Sequence, residues 1–146
     1  MEIDDIIGQV EAMGGVLTLR PRAGDGSPEI AWGDVFFYYA PDGIVPKGQP
    51  FATIVTKDYP DDTSSRLDRP GVFRLNMAAS REDFGRWAGQ DADPSAADVL
   101  FPHPVYGSMA WLSVVNPGPA TAEPVRDLLG AAHDRARGLY ERRHHS

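Results

Sequence analysis

The chain has 146 residues, and its 14 basic and 21 acidic side chains give a formal net charge of −7. A chain of this length fits one domain, residues 1–146, which excludes two catalytic domains and a long solenoid. Because 42% of the residues are hydrophobic and 24% are charged, the composition indicates a globular protein rather than a disordered one.

Charge and cysteine usage narrow the possible partners. The acidic surplus disfavours binding to phosphate backbones unless a local basic patch exists. The chain has no cysteine, so it has no thiolate metal site, thiol nucleophile or disulfide. The acidic start, Met1–Asp5, is unlike a signal peptide, and the longest apolar runs are too short to cross a bilayer. We therefore expect a soluble, cytoplasmic protein without a membrane partner.

The N-terminal part predicts one helix and two strands. Apolar residues recur at helical spacing over Ile3–Met13 and stop at Gly14, which predicts a helix and its end. Side-chain character alternates from residue to residue over Val16–Arg20, which predicts a strand. Val35–Tyr39 is β-branched and aromatic, and the turn residues of Ala40–Gly43 close it.

The middle of the chain predicts two further strands and a long connector. Phe51–Lys57 is the next strand, and the polar segment Asp58–Gly71 follows it. Val72–Met77 then alternates regularly, so Arg74 and Asn76 share one face of that strand.

The C-terminal part predicts two helices around one strand. Ser80 opens a short helix that reaches Trp87, and a mobile loop follows over Gln90–Asp98. Met109–Val115 is the last strand. A final helix carries Val125–Leu139, capped by Thr121, and His144–Ser146 forms a frayed tail.

This order of elements predicts an α+β fold. Neighbouring strand runs joined by loops most simply pair antiparallel, and the helices flank them in sequence. We expect an antiparallel sheet of about five strands, with the N- and C-terminal helices packed on one face.

Motifs for common chemistries are missing. The sequence has no Walker-type loop, no dinucleotide fingerprint, no zincin motif and no Gly-x-Ser-x-Gly elbow. His103 and His133, outside the tail, show no metal-ligand spacing. We therefore expect no cofactor and no metal.

Asp34 is the first of three candidate polar groups. It follows Trp32-Gly33 and precedes the apolar strand Val35–Tyr39. A carboxylate buried there could act as a base or hold a cation. It could equally turn the backbone and pair with an arginine, and the sequence leaves both readings open.

The second group is an arginine cluster that could clamp an anion. Arg66, Arg69 and Arg74 lie within nine residues, and Arg74 shares its strand face with Asn76. The alternative is an ion-pair network with the acidic residues of the same stretch, which are Asp58, Asp61, Asp62 and Asp68.

The third group is His103-Pro-Val-Tyr-Gly107, which lies just before the last strand. Histidine changes charge near neutral pH, and Tyr106 adds a hydroxyl. The prolines stiffen this segment, as a catalytic loop or an ordinary strand entrance would require.

Four segments carry a resemblance to a known family, and they are Trp32–Gly43, Phe51–Pro60, Ser65–Asn76 and His103–Gly107. Over nearly the whole chain the sequence resembles the bacterial proteins grouped as domain of unknown function 6194, which implies no established activity. A more distant resemblance, to MmcQ/YjbR-like proteins, rests on Lys57–Pro60, Pro70-Gly71, Trp111 and Val125–Leu139. It implies an α+β fold and a DNA-binding role, although the acidic charge disfavours that role and Val72–Pro102 departs from the pattern.

These observations support three hypotheses of function. The first is a domain that binds a small anionic molecule in a pocket near the sheet. Arg69, Arg74, Asn76 and Tyr106 would be its ligand-binding residues, and Asp34 and His103 an acid/base pair if the domain is an enzyme. The second is a non-catalytic interaction module, such as a homodimer, and the third is a DNA-binding protein.

Overall fold

The computed structural model describes residues 1–89 and 91–144. It confirms the predicted α+β class, with three α-helices and a six-stranded sheet in which neighbouring strands are antiparallel. The elements are α1 (Ile3–Glu11), β1 (Val16–Leu19), β2 (Val35–Tyr39), β3 (Ala52–Val55), β4 (Arg74–Ala78), α2 (Arg81–Ala88), β5 (Leu100–Pro102), β6 (Trp111–Val115) and α3 (Ala122–Arg143). Gln90 of the predicted mobile loop, and His145 and Ser146 of the predicted frayed tail, lie outside the described residues.

The sheet has the order β1-β2-β3-β4-β6-β5, so β5 is an edge strand. This short strand was not predicted, because three residues that include Pro102 have no strand pattern of their own. Its pairing with β6, where Leu100 lies opposite Val114, holds it in place. Proline is tolerated there because an edge strand leaves some N–H groups without a ladder partner.

One face of the sheet, called here the helix face, carries the main core. Ile54, Leu75 and Val114 lie opposite one another on β3, β4 and β6 and therefore point to the same side. Val10 of α1 and Leu129 of α3 are fully buried in the same apolar cluster. The terminal helices thus pack on one face, as predicted.

The other face, called here the loop face, is covered by loops instead of helices. Leu67, from the connector between β3 and β4, is buried there with Val55, Phe101 and Val115. The side chains of the loop face include Phe36, Tyr38, Thr53, Val55, Arg74, Asn76, Phe101, Trp111, Ser113 and Val115.

The N-terminus of α2 has the capping residue that the sequence predicts, whereas the N-terminus of α3 does not. Ser80 Oγ accepts a hydrogen bond from the Asp83 backbone N–H at 3.0 Å, as a capping residue does. Thr121 precedes α3 in a helical backbone conformation and makes no side-chain cap bond. Its hydroxyl instead donates to Asp98 at 2.6 Å, and the same carboxylate accepts the backbone N–H of Gly118. The prediction that Thr121 caps the helix is therefore wrong, and Asp98 orders this helix start.

Among the described residues, no helix combines the length and the apolar character that a membrane crossing needs.

Candidate functional site

A cavity of about 280 Å³ lies on the loop face. The connector between β3 and β4 and the loop that follows β5 form its sides. We call it the loop-face cavity, and its lining residues are Phe36, Tyr38, Gln49, Pro50, Thr53, Val55, Tyr59, Asp61, Asp62, Arg74, Asn76, His103, Val105, Tyr106 and Trp111.

The floor of the cavity is a row of polar side chains in register across the sheet. Thr53, Asn76 and Ser113 lie opposite one another on β3, β4 and β6. Asn76 Nδ2 donates to Thr53 Oγ1 at 3.0 Å, and Ser113 Oγ donates to Asn76 Oδ1 at 2.7 Å. Because these bonds hold both ends of the amide, the orientation of Asn76 is fixed before anything binds.

Arg74 lies beside this row and is almost fully buried, with 1% of its surface exposed. Its Nε donates to Asn76 Oδ1 at 2.8 Å, and its Nη1 donates to Asp62 Oδ1 at 2.9 Å and to Ser65 Oγ at 3.1 Å. Nη2 donates to Asp62 Oδ2, and its remaining N–H faces His103. Four of the five guanidinium hydrogens are therefore bound within the protein.

Asp62 neutralises that guanidinium. Two backbone hydrogen bonds between Tyr59 and Asp62 close a tight turn, and this turn brings the carboxylate over β4. Burial raises the pKa of Asp62, but the hydrogen bonds and charge of Arg74 outweigh it, so the pKa lies below its ordinary value. The pair is therefore ionised at neutral pH, and its two charges compensate.

His103 is buried at the side of the cavity and is held by its own loop. Its Nδ1 accepts the backbone N–H groups of Val105 and Tyr106, both at 3.0 Å. These two donors occupy the Nδ1 lone pair and assign the proton of the neutral ring to Nε2. Burial, aided by the charge of Arg74, lowers the pKa of His103 to about 4, so the ring is neutral at pH 7.

The Nε2 atom of His103 lies 3.3 Å from Arg74 Nη2. In this tautomer both atoms carry hydrogens, so neither accepts from the other. Among the described residues, the second N–H of Nη2 has no other hydrogen-bond acceptor. The two groups therefore form a pair of adjacent donors that an acceptor atom in the cavity could satisfy.

Aromatic rings form most of the walls. Phe36 and Tyr38 come from β2, Trp111 from β6, and Tyr106 stands 4.9 Å from the His103 ring, centroid to centroid. Asp61 is exposed and also lines the cavity. Because the charges of Asp62 and Arg74 cancel, Asp61 gives the cavity lining a net charge of −1.

Asp34 is fully buried behind the cavity wall and does not line the cavity. Its Oδ1 accepts from the Thr56 backbone N–H at 2.8 Å and from Lys57 Nζ at 3.0 Å, and its Oδ2 accepts from the Tyr59 hydroxyl. Burial and this hydrogen bond raise the pKa of the Tyr59 hydroxyl well above its ordinary value. Asp34 therefore does not contact the cavity itself but holds Tyr59, whose ring is part of the wall.

Arg69 lies away from the cavity. Its guanidinium donates to the backbone carbonyls of Arg66 at 2.8 Å and of Ser65 and Ser95 at 3.0 Å, and its side chain lines a different depression. It therefore ties the connector to the loop before β5.

The structure brings together four of the six predicted site residues, which are Arg74, Asn76, His103 and Tyr106. Asp34 and Arg69 are not among the lining residues, so the expected convergence of Asp34, Arg69, Arg74 and His103 around one cavity is not found. Asp62 was named in the sequence as a possible ion-pair partner, and its pair with Arg74 is found. Tyr59 and Thr53 were missed as site residues, although strand alternation already places Thr53 on the other face of β3 from Ala52 and Ile54.

Among residues 1–89 and 91–144, no three His, Asp or Glu side chains come together in a way that could hold a metal ion.

Comparison with known proteins gives one finding. The model of a family of unknown function (DUF6194) matches residues 1–145. No curated protein and no solved structure matches the chain. The more distant likeness to MmcQ/YjbR-like proteins therefore stays a prediction.

Proposed function

Because the chain belongs to the family DUF6194, whose function is unknown, we propose its function from the geometry of the site. The protein binds a small, uncharged aromatic molecule in the loop-face cavity. One observation carries this proposal: the adjacent donors of Arg74 and His103 lie beside a fixed polar floor and inside aromatic walls.

The size and lining of the cavity support a flat ligand. Ligand pockets typically measure about 300–1,000 Å³ and combine apolar walls with a few fixed polar groups. At about 280 Å³, this cavity suits a molecule with one or two rings. Tyr38, Tyr106 and Trp111 line the cavity with aromatic rings, and aromatic pairs favour offset or edge-on packing.

The charges favour an uncharged ligand over the anion expected from the sequence. Arg74 is already compensated by Asp62, and Asp61 adds a negative charge to the lining. An anion would meet that charge without a free cation to balance it. A neutral acceptor, such as a carbonyl oxygen, would satisfy the donors of Arg74 and His103 without a net charge.

The same contacts favour binding over acid/base chemistry. A general base needs a free lone pair within reach of its substrate. The His103 lone pair is at Nδ1 and accepts two backbone N–H groups. Asp34, the other half of the expected acid/base pair, lies behind Tyr59.

Three compounds that share one ring test the proposal. Benzamide has a neutral carbonyl acceptor, benzoate carries an anionic acceptor, and benzamidinium is a cation without an acceptor. We expect benzamide to bind most tightly. In two-dimensional NMR titrations, the indole N–H signal of Trp111 should move, whereas those of Trp32 and Trp87, which do not line the cavity, should stay in place.

Two variants provide the comparison. Tyr106 is a wall residue with 44% exposure, and Ile30 has 42% exposure but does not line the cavity. Y106A should weaken benzamide binding several-fold, and I30A should leave it unchanged. Tightest binding of benzoate or of benzamidinium would contradict an uncharged ligand. If none of the three compounds moved the Trp111 signal, the cavity would not be a binding site of this kind.

A further inference from the structure

A second concavity, of about 310 Å³, lies at one end of the sheet. The loop between β2 and β3 lies on one side of it, and the last turns of α3 lie on the other. We call it the end groove, and its lining residues are Tyr39, Pro46, Lys47, Gly48, Gln49, Pro50, Phe51, Ala78, Met109, Trp111, Ala132, Arg135, Ala136, Leu139, Tyr140, Arg143 and His144.

The surface of the end groove is mostly apolar. Met109 and Leu139 are large side chains that are 56% and 48% exposed, although burial would be favourable for both. Two of its three Lys and Arg side chains are held by backbone oxygens: Arg135 donates to the Ala78 carbonyl, and Arg143 Nη1 donates to the Lys47 carbonyl at 3.0 Å. The third, Lys47, is exposed. The groove therefore offers mainly carbon surface.

The end groove adjoins the loop-face cavity. β2 and β4 finish, and β3 and β6 begin, at this end of the antiparallel sheet. Gln49, Pro50 and Trp111 line both concavities and form the ridge between them. A molecule seated in the cavity could thus extend past this ridge without entering the protein core.

We infer that the ligand is an elongated amphiphile with a flat, uncharged polar head and an unbranched apolar tail. The head occupies the loop-face cavity, and the tail crosses the ridge at Pro50 and Trp111 to lie in the end groove against Met109 and Leu139. This inference rests on the proposed function, and it adds the chemical class of the rest of the ligand.

Transfer of one methylene group from water to an apolar surface strengthens binding by about fourfold. A six-carbon chain that is only partly covered in the groove should therefore improve affinity by at least about tenfold. The test compares benzamide with 4-hexylbenzamide by isothermal titration calorimetry on the full chain.

The matched variants place the same charge on two exposed apolar residues. L139E puts a carboxylate into the end groove, and I30E puts one outside both concavities. We expect L139E to remove the gain from the hexyl chain while benzamide still binds as in the wild type. I30E should keep both affinities.

The outcomes separate the two proposals. If neither compound binds, the proposed function fails and the inference fails with it. If benzamide binds and the hexyl chain adds nothing, the inference alone is overturned. A gain that survives L139E would also overturn it, because the chain would then lie outside the end groove.

Discussion

Arg74 and Asp62 form a buried ion pair with two contacts, Nη1 to Oδ1 at 2.9 Å and Nη2 to Oδ2 at 2.5 Å. The pair joins the connector to the central strand β4, so it shapes one side of the loop-face cavity. In a buried pair, the attraction between the two charges offsets the cost of removing each of them from water. Loss of one partner leaves the other charge buried and unpaired.

We predict that D62A lowers the free energy of unfolding by about 3–5 kcal/mol, because the Arg74 guanidinium would stay buried without its carboxylate. Urea denaturation of the purified variants measures the change. D61A, at the exposed neighbouring position, should change stability by less than about 0.5 kcal/mol. Similar losses in both variants would show that the ion pair does not hold the connector.

The pH dependence of stability should report on His103. Its folded pKa of about 4 lies below the ordinary value of 6.5, so the unfolded chain binds more protons between these two pH values. Stability should therefore rise with pH across that window, by about 3 kcal/mol from this group, and be fully present above pH 6.5. Urea denaturation at pH 4.5, 5.5, 6.5 and 7.5 follows the change.

The variant H103N provides the comparison, because an asparagine oxygen can also accept the backbone N–H groups of the loop but does not titrate. In H103N, the free energy of unfolding should lose most of its rise between pH 4 and 6.5. H144N, at an exposed position near the end of α3, should keep the wild-type slope. An unchanged slope in H103N would contradict the lowered pKa.

The hydroxyl of Tyr59 should stabilise the fold through Asp34. Y59F would leave the Oδ2 atom of a fully buried carboxylate without its donor. We predict a loss of about 1.5–3 kcal/mol in the free energy of unfolding, since hydrogen bonds to charged groups contribute that much.

Y38F is the matched control, because Tyr38 lines the same cavity and its hydroxyl has no hydrogen bond within the described part of the chain. Chemical denaturation should give nearly wild-type stability for Y38F. If Y59F were equally neutral, Asp34 would be satisfied without Tyr59.

Local patterns in the sequence predicted most of the elements. Helical spacing in Ile3–Met13 and alternation in Val72–Met77 depend on neighbours along the chain, and both elements are found with ends shifted by a few residues. Alternation also placed Arg74 and Asn76 on one face of β4. Strand β5 could not be predicted, because its three residues are held by pairing with β6 rather than by a pattern of their own.

The candidate site was predicted in part, and the arginines show why. Arg69 and Arg74 have the same chemistry and lie five positions apart, so composition could not separate them. Backbone carbonyls hold Arg69 in the connector, whereas the strand register places Arg74 beside Asn76 in the cavity.

The sequence by itself determined the α+β class and the polar face of β4, because both follow from periodicity over a few residues. The tertiary structure alone decided that Asp62 compensates Arg74 and that His103 reaches the same cavity. It also placed Asp34 behind Tyr59. These contacts join residues that are 12, 29 and 25 positions apart, and such long-range contacts depend on how the loops close over the sheet.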